Sequence, residues 1–215
     1  MDDDSPLYQL NTLSEYLFDE LKFAGNHTNY YDPRNSFLND VIERRLGIPI
    51  TLSLLYIEVG KRLGVPLLGI GMPGHFVVRH RDDPDIFVDP FHGGILLSEE
   101  ECAERLKQST QGALAWDREY LAPVSSRAFI ARMLRNLKVV YLQRRSYERV
   151  LATIDRVIAL LPQDAVEFRD RGVVNYRLGN YADALEDLYV YVESGDVVPD
   201  EDTVRKLMDQ IRGRL

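Results

Sequence analysis

An α+β core followed by an all-α module is the fold class this sequence predicts, and three features predict it. Apolar residues recur at helical spacing up to about residue 63. Between residues 65 and 97 the pattern changes to short extended runs separated by Gly, Pro and Asp. The last ninety or so residues return to helical spacing and align with themselves at an offset of 34 residues.

The first helix rests on Leu7, Leu10, Leu13, Leu17 and Leu21 and is expected to end near Gly25. After a polar loop, Tyr30 to Ser36 reads as a turn into a second helix, with Asn35 or Ser36 as N-cap, an apolar side of Phe37, Leu38, Val41 and Ile42, and Gly47 as its stop. Pro49 suits the first position of a third helix because its missing N–H would have no intrahelical acceptor there. Leu52, Leu55, Tyr56, Val59 and Leu63 give that helix a buried stripe, closed by Gly64. Expected strands cover Val65–Gly71, His75–His80, Ile86–Phe91 and Ile95–Leu97, an antiparallel meander. Ser98 and Glu101 then form a capping box that opens a further helix in which Cys102 and Leu106 face inward.

In the C-terminal part the offset pairs Leu134 with Phe168, Tyr147 with Tyr181, Leu151 with Leu185 and Ile154 with Leu188, and a 34-residue unit is the tetratricopeptide period. Gly172 marks a close helix approach, Gly179-Asn180-Tyr181 an interhelix turn, Ala184 a small packing residue and Pro162 the close of the first copy. The expected organisation is a first domain over residues 1–125 and a second over 126–215. The second comprises repeats at about 131–164 and 165–198, with residues 200–213 as a capping helix that has a polar outer face.

The chain has 215 residues, of which 45% are hydrophobic and 28% charged, enough for one good core and an appended module and unlike a disordered or disulfide-stapled chain. A single cysteine permits no intramolecular disulfide. With an acidic, apolar-poor start Met-Asp-Asp-Asp-Ser-Pro and no run long enough to span a bilayer, this points to a reducing, cytoplasmic setting and no membrane association. The net charge of −8 is uneven, because residues 127–149 hold seven cations against Glu148 alone. Within that stretch Arg132, Arg135 and Lys138 are the candidate contacts for an acidic protein or peptide partner, or for the protein's own acidic first half; the alternative is a solvated helix face. An acidic chain without aromatic and basic residues interleaved is not expected to bind nucleic acid. The residues point to no cofactor and no metal.

His75, in Gly-Met-Pro-Gly-His-Phe, and Asp89, in Phe-Val-Asp-Pro-Phe, carry the chemistry. On neighbouring strands a carboxylate can fix the tautomer of an imidazole and leave the other ring nitrogen to act as a base. Across the groove the start of the Pro49 helix would supply a dipole and N–H groups, but it holds no thiol. Thr51 and Ser53 are the candidate nucleophiles on that helix, each with an alternative reading as a cap or packing hydroxyl. Cys102 lies among Glu99, Glu100, Glu101 and Glu104, which would raise a thiol pKa, so it is expected to be a core filler.

Gly47-Ile-Pro-Ile-Thr-Leu-Ser-Leu-Leu-Tyr, Gly64-Val-Pro-Leu, Met72-Pro-Gly-His-Phe, Val88-Asp-Pro-Phe and Gly179-Asn-Tyr-Ala-Asp-Ala-Leu together resemble the transglutaminase-like family of SirB type, in which such a core precedes tetratricopeptide repeats. The resemblance implies a papain-like α+β fold, with helices packed on a small antiparallel sheet, and matches His75 and Asp89 to the second and third members of a Cys-His-Asp triad. It places the cysteine position at or near Pro49. Loss of a triad nucleophile lowers turnover on the order of a million-fold. The implied role is therefore a non-catalytic protein-binding or regulatory module, with acyl transfer or amide or ester hydrolysis through Thr51 or Ser53 as the rival.

Overall fold

The computed structural model describes residues 5–195 and 199–215; the acidic Met1–Asp4 and residues 196–198, expected to end the second repeat, lie outside them. The described chain divides into two compact units, Met1–Phe129 and Ile130–Leu215.

In the first unit, helix α1 spans Pro6–Ser14, capped by the Ser5 hydroxyl on the Tyr8 N–H. It continues as a stretch of π-helix, Glu15–Glu20, and so stops short of Gly25. Strand β1 (Ala24–Gly25) follows, then a 3-10 turn at Pro33–Ser36, α2 (Leu38–Arg44) and β2 (Leu46–Gly47). β1 pairs with β2 in parallel, Gly25 opposite Gly47, an extended pair that helical spacing could not announce.

The expected caps of α2 differ from those found. Asn35 is fully buried and does not cap the helix, because its amide is used to hold the preceding loop. It donates to the Asn29 carbonyl at 2.8 Å and the Tyr30 carbonyl at 3.0 Å and accepts from Asn26. Asp32 caps the 3-10 turn instead, and α2 ends on Arg45 in the left-handed region at φ 56°, which leaves Gly47 to β2. Helix α3 begins at Pro49 and runs to Arg62.

Strands β3 (Leu67–Ile70), β4 (Val77–His80), β5 (Phe87–Asp89) and β6 (Ile95–Leu97) form the expected antiparallel meander in chain order. Helix α3 packs against β3, β4 and the 3-10 turn Pro90–His92 that follows β5. Leu52, Leu55 and Tyr56 on α3 share a core with Leu10, Leu13 and Leu17 of the N-terminal helix and with Val78 and Val88 of the sheet. On the other face Ile70, Val77, Phe87 and Leu97 meet Cys102 and Leu106 of α4 (Glu99–Ser109). The Ser98–Glu101 capping box opens α4: the Ser98 N–H donates to the Glu101 carboxylate at 2.8 Å and Ser98 Oγ accepts from the Glu101 N–H at 3.3 Å. A helix on a small antiparallel sheet is the papain-like arrangement expected above.

Helix α5 (Ser126–Gln143) opens in the first unit and continues into the second. The second unit goes on with α6 (Tyr147–Leu160), α7 (Ala165–Leu178), α8 (Tyr181–Val192) and α9 (Glu201–Arg212). One core joins Leu137 and Tyr141 to Val150, Ile154 and Val174; another joins Ala184, Leu188 and Tyr191 to Val204, Met208 and Ile211. Gly172 of α7 packs tightly against α8. A Cβ added there would lie 2.8 Å from Leu188 Cγ and 3.0 Å from the Ala184 carbonyl oxygen.

Because backbone as well as side chain stands in the way, Gly172→Val should destabilise the second unit by roughly 1–3 kcal/mol. Chemical denaturation followed by circular dichroism checks this; a variant as stable as the parent would show that α7 and α8 are not packed this closely.

Candidate active site

Asp89 ends β5 and is fully buried. Its two oxygens do different work. Oδ1 accepts the backbone N–H groups of Phe91 at 3.1 Å and His92 at 3.3 Å, which folds the chain into the 3-10 turn. Oδ2 lies 2.9 Å from His75 Nε2 and 2.7 Å from His92 Nδ1, with Arg105 Nε of α4 at 3.6 Å. Burial pushes the Asp89 carboxyl up, but the hydrogen bonds from His75 and His92 outweigh it and hold the group well below the usual carboxylate range. Facing an anion, each imidazole presents an N–H, so the His75 tautomer is assigned from its partner as protonated on Nε2.

His75 sits two residues before β4 begins, on the turn after Met72-Pro73-Gly74, and not within a strand as the sequence suggested. It is 7% exposed, so the imidazole is held by its surroundings as well as by Asp89. Phe91 of the Asp89 turn lies against β1: a Cβ on Gly25 would come within 2.5 Å of the Phe91 carbonyl oxygen. That contact brings the exposed His27 ring to 4.4 Å from the Phe91 ring and 5.6 Å from His92. Since Gly25 also pairs with Gly47, one short strand links the Asp89 turn to the segment entering α3.

The hydroxyls at the start of α3 are placed differently from each other. Ile48, at the N-cap, has no side-chain oxygen, and the Thr51 hydroxyl answers its N–H at 3.0 Å. The same hydroxyl donates to the Asn35 carbonyl at 2.9 Å. Thr51 thus stitches the loop to the helix. Ser53 is fully buried, and among the described residues its hydroxyl has no hydrogen-bond partner, His75 included. Cys102 is fully buried in the sheet–α4 core; burial first, and the negative charge of Asp89 second, push its thiol up to about 12.

Of the cations expected to meet a partner, Arg135 bonds to Asp164 and, at 2.9 Å, to Glu167. Lys138, 7% exposed, lies 2.8 Å from Glu167 and 2.7 Å from Asp170. Their charges are matched inside the helical array, because carboxylates on the neighbouring repeat helix lie opposite them. Arg132 is half-buried on the same helix.

Sequence reasoning did not single out His92, His27 or Arg105. His92 had a signal: three residues after a turn-capping aspartate, a side chain returns over the cap. His27 and Arg105 had none, since only the tertiary fold brings Arg105 to Asp89 and His27 to the rings of Phe91 and His92.

Comparison with known proteins places this arrangement. The transglutaminase-like superfamily profile matches residues 1–135 and a tetratricopeptide repeat profile residues 137–212. The chain is 42% identical over 211 residues to a UPF0162 protein of Xylella fastidiosa, covering 96% of this chain and 73% of that protein. To the UPF0162 protein of Vibrio cholerae it is 31% identical over 179 residues, 82% of this chain and 66% of the other. F-box only protein 21 of Mus musculus is 32% identical over 165 residues, 71% of this chain but only 25% of that much longer protein. No solved structure matches. The chain therefore belongs to the transglutaminase-like superfamily, with the UPF0162 proteins, and its transglutaminase-like core is followed by tetratricopeptide repeats.

Proposed function

We propose that the chain is a non-catalytic transglutaminase-like protein that captures a protein or peptide partner, acting as an accessory or regulatory module in a reducing compartment such as the cytoplasm. The observation that carries this reading is that, among the described residues, none of the candidate nucleophiles Thr51, Ser53 and Cys102 is held as an activated partner of the well-ordered His75–Asp89 pair. The one cysteine is buried with its thiol pushed up to about 12, so it is neither ionised nor accessible near neutral pH. Thr51 is committed to backbone partners, and the Ser53 hydroxyl makes no hydrogen bond to His75. An imidazole activates a hydroxyl only through a hydrogen bond to it, and the bonds of Thr51 and the unbonded Ser53 hydroxyl supply none to His75.

Tetratricopeptide repeats generally mediate protein–protein contacts, and the second unit offers a surface for one. A groove of about 550 Å³ runs between α5, α6 and α7. Apolar Val150, Ile154 and Val173 floor it, and Tyr147, Arg145 and Arg177 edge it. The Arg177 guanidinium stacks over the Tyr147 ring at 5.7 Å. Apolar floor and cationic edge favour a peptide with alternating apolar and acidic side chains. With Arg135 and Lys138 already paired, this groove replaces them as the best-supported contact surface. That no helix among the described residues is long and apolar enough to cross a membrane is compatible with such a module.

Two measurements test the reading. Purified chain and His75→Ala should release product from glutamine-bearing and ester substrates at the same background rate; turnover that His75→Ala abolishes would overturn it. Cys102 should resist alkylation at pH 8 until denaturant is added, whereas rapid labelling of the folded protein would reopen thiol chemistry. For the groove, Tyr147→Ala combined with Arg177→Glu should reduce partner capture from lysate at least about ten-fold, the loss expected when an aromatic and arginine contact centre is removed; an unchanged capture profile would place the partner elsewhere.

A further inference from the structure

Two of the chain's four histidines converge on one carboxylate and a third, His27, lies 5.6 Å from the ring of one of them, which is more than a structural His–Asp pair requires. His75 Nε2, His92 Nδ1 and Asp89 Oδ2 lie within 4.8 Å of one another. Both nitrogens point to the same oxygen, at 2.9 and 2.7 Å. Two imidazoles and a carboxylate converging on one point form a donor set that suits first-row divalent ions, with ligand distances near 2.0–2.2 Å for zinc.

From this convergence we propose that His75, Asp89 and His92 form a binding site for a divalent transition-metal ion of the zinc class. The parts that a metal site needs are present. Oδ1 of Asp89 is held by two backbone N–H groups, so the carboxylate is fixed in orientation while Oδ2 faces the imidazoles. His75 is fixed by burial, whereas the His92 side chain is 31% exposed and opens the cluster to solvent. His27, exposed and 5.6 Å from the His92 ring, adds an imidazole at that opening. Three protein donors leave the remaining coordination positions to water or to a side chain of a bound partner.

Metal entry would require each neutral imidazole to change tautomer, the proton moving from the nitrogen that faces Oδ2 to the other ring nitrogen so that the freed lone pair turns to the ion. One group opposes it. Arg105 Nε stands 3.6 Å from Asp89 Oδ2 and would repel a cation there. The ion would therefore bind in competition with Arg105, a feature that separates this site from adventitious binding to an exposed histidine.

The test uses the full chain, stripped with chelator and titrated calorimetrically with Zn²⁺ and, for its absorption spectrum, Co²⁺. One ion per chain should bind, with no comparable binding of Mg²⁺ or Ca²⁺, which prefer oxygen cages. His92→Ala and His75→Ala should each weaken binding at least about ten-fold, and Arg105→Gln should strengthen it. The partly exposed His92 keeps the test decisive should His75→Ala fail to fold. Absence of binding by the parent chain, undiminished affinity in His92→Ala, or loss only in His27→Ala would overturn the proposal.

Discussion

Burying the carboxylate of Asp89 is affordable only because every lone pair that matters is answered, and the first unit is arranged around that answer. An unpaired buried anion would cost several kcal/mol, on the general scale for such groups. Here two backbone N–H groups, two imidazoles and a guanidinium surround it. Those partners come from the approach to β4, the turn after β5 and helix α4, so a single side chain fixes three segments against one another. The close contact of Gly25 with Phe91 then draws β1 into the same assembly.

That assembly gives the His75–Asp89 pair structural work that does not depend on any chemistry. Asp89 is also the cap of its own turn and the counterion of Arg105, so it has structural work whatever His75 does. The start of α3 is likewise held by structural bonds. Thr51 ties the Asn35 loop to the Ile48 N–H, and a side chain engaged on both sides is not available for attack.

Much of this was legible in the sequence, and what was not has physical causes. The meander, the Pro49 helix start, the Ser98–Glu101 box and the Gly172 contact all rest on local spacing or on residue types with few uses, and each is found. His75 and Asp89 could be paired because a hairpin keeps them close in sequence. The caps of α2 could not, since Asn35 satisfies a loop that folds back on it only in three dimensions. The same limit hid the partners of Arg135 and Lys138: a basic run on one helix looks exposed until the acidic face of the next repeat is laid against it.

Those repeat charges have a further consequence for what kind of array this is. Tetratricopeptide solenoids are commonly modular, their stability a sum over units and neighbour interfaces, so that units can be added or removed. In this chain α5 cations meet acids of the α7 segment, Arg171 of α7 meets Asp155 of α6 and Asp187 of α8, and Arg169 meets Asp200 at the head of α9. Glu167 is 1% exposed and Asp187 4%, so excising α5 would strand Glu167, and excising α7 would strand Asp187 and the buried Lys138. The buried charges thus tie α5, α7 and α8 to one another in one order, and α7 is not interchangeable with a generic repeat helix.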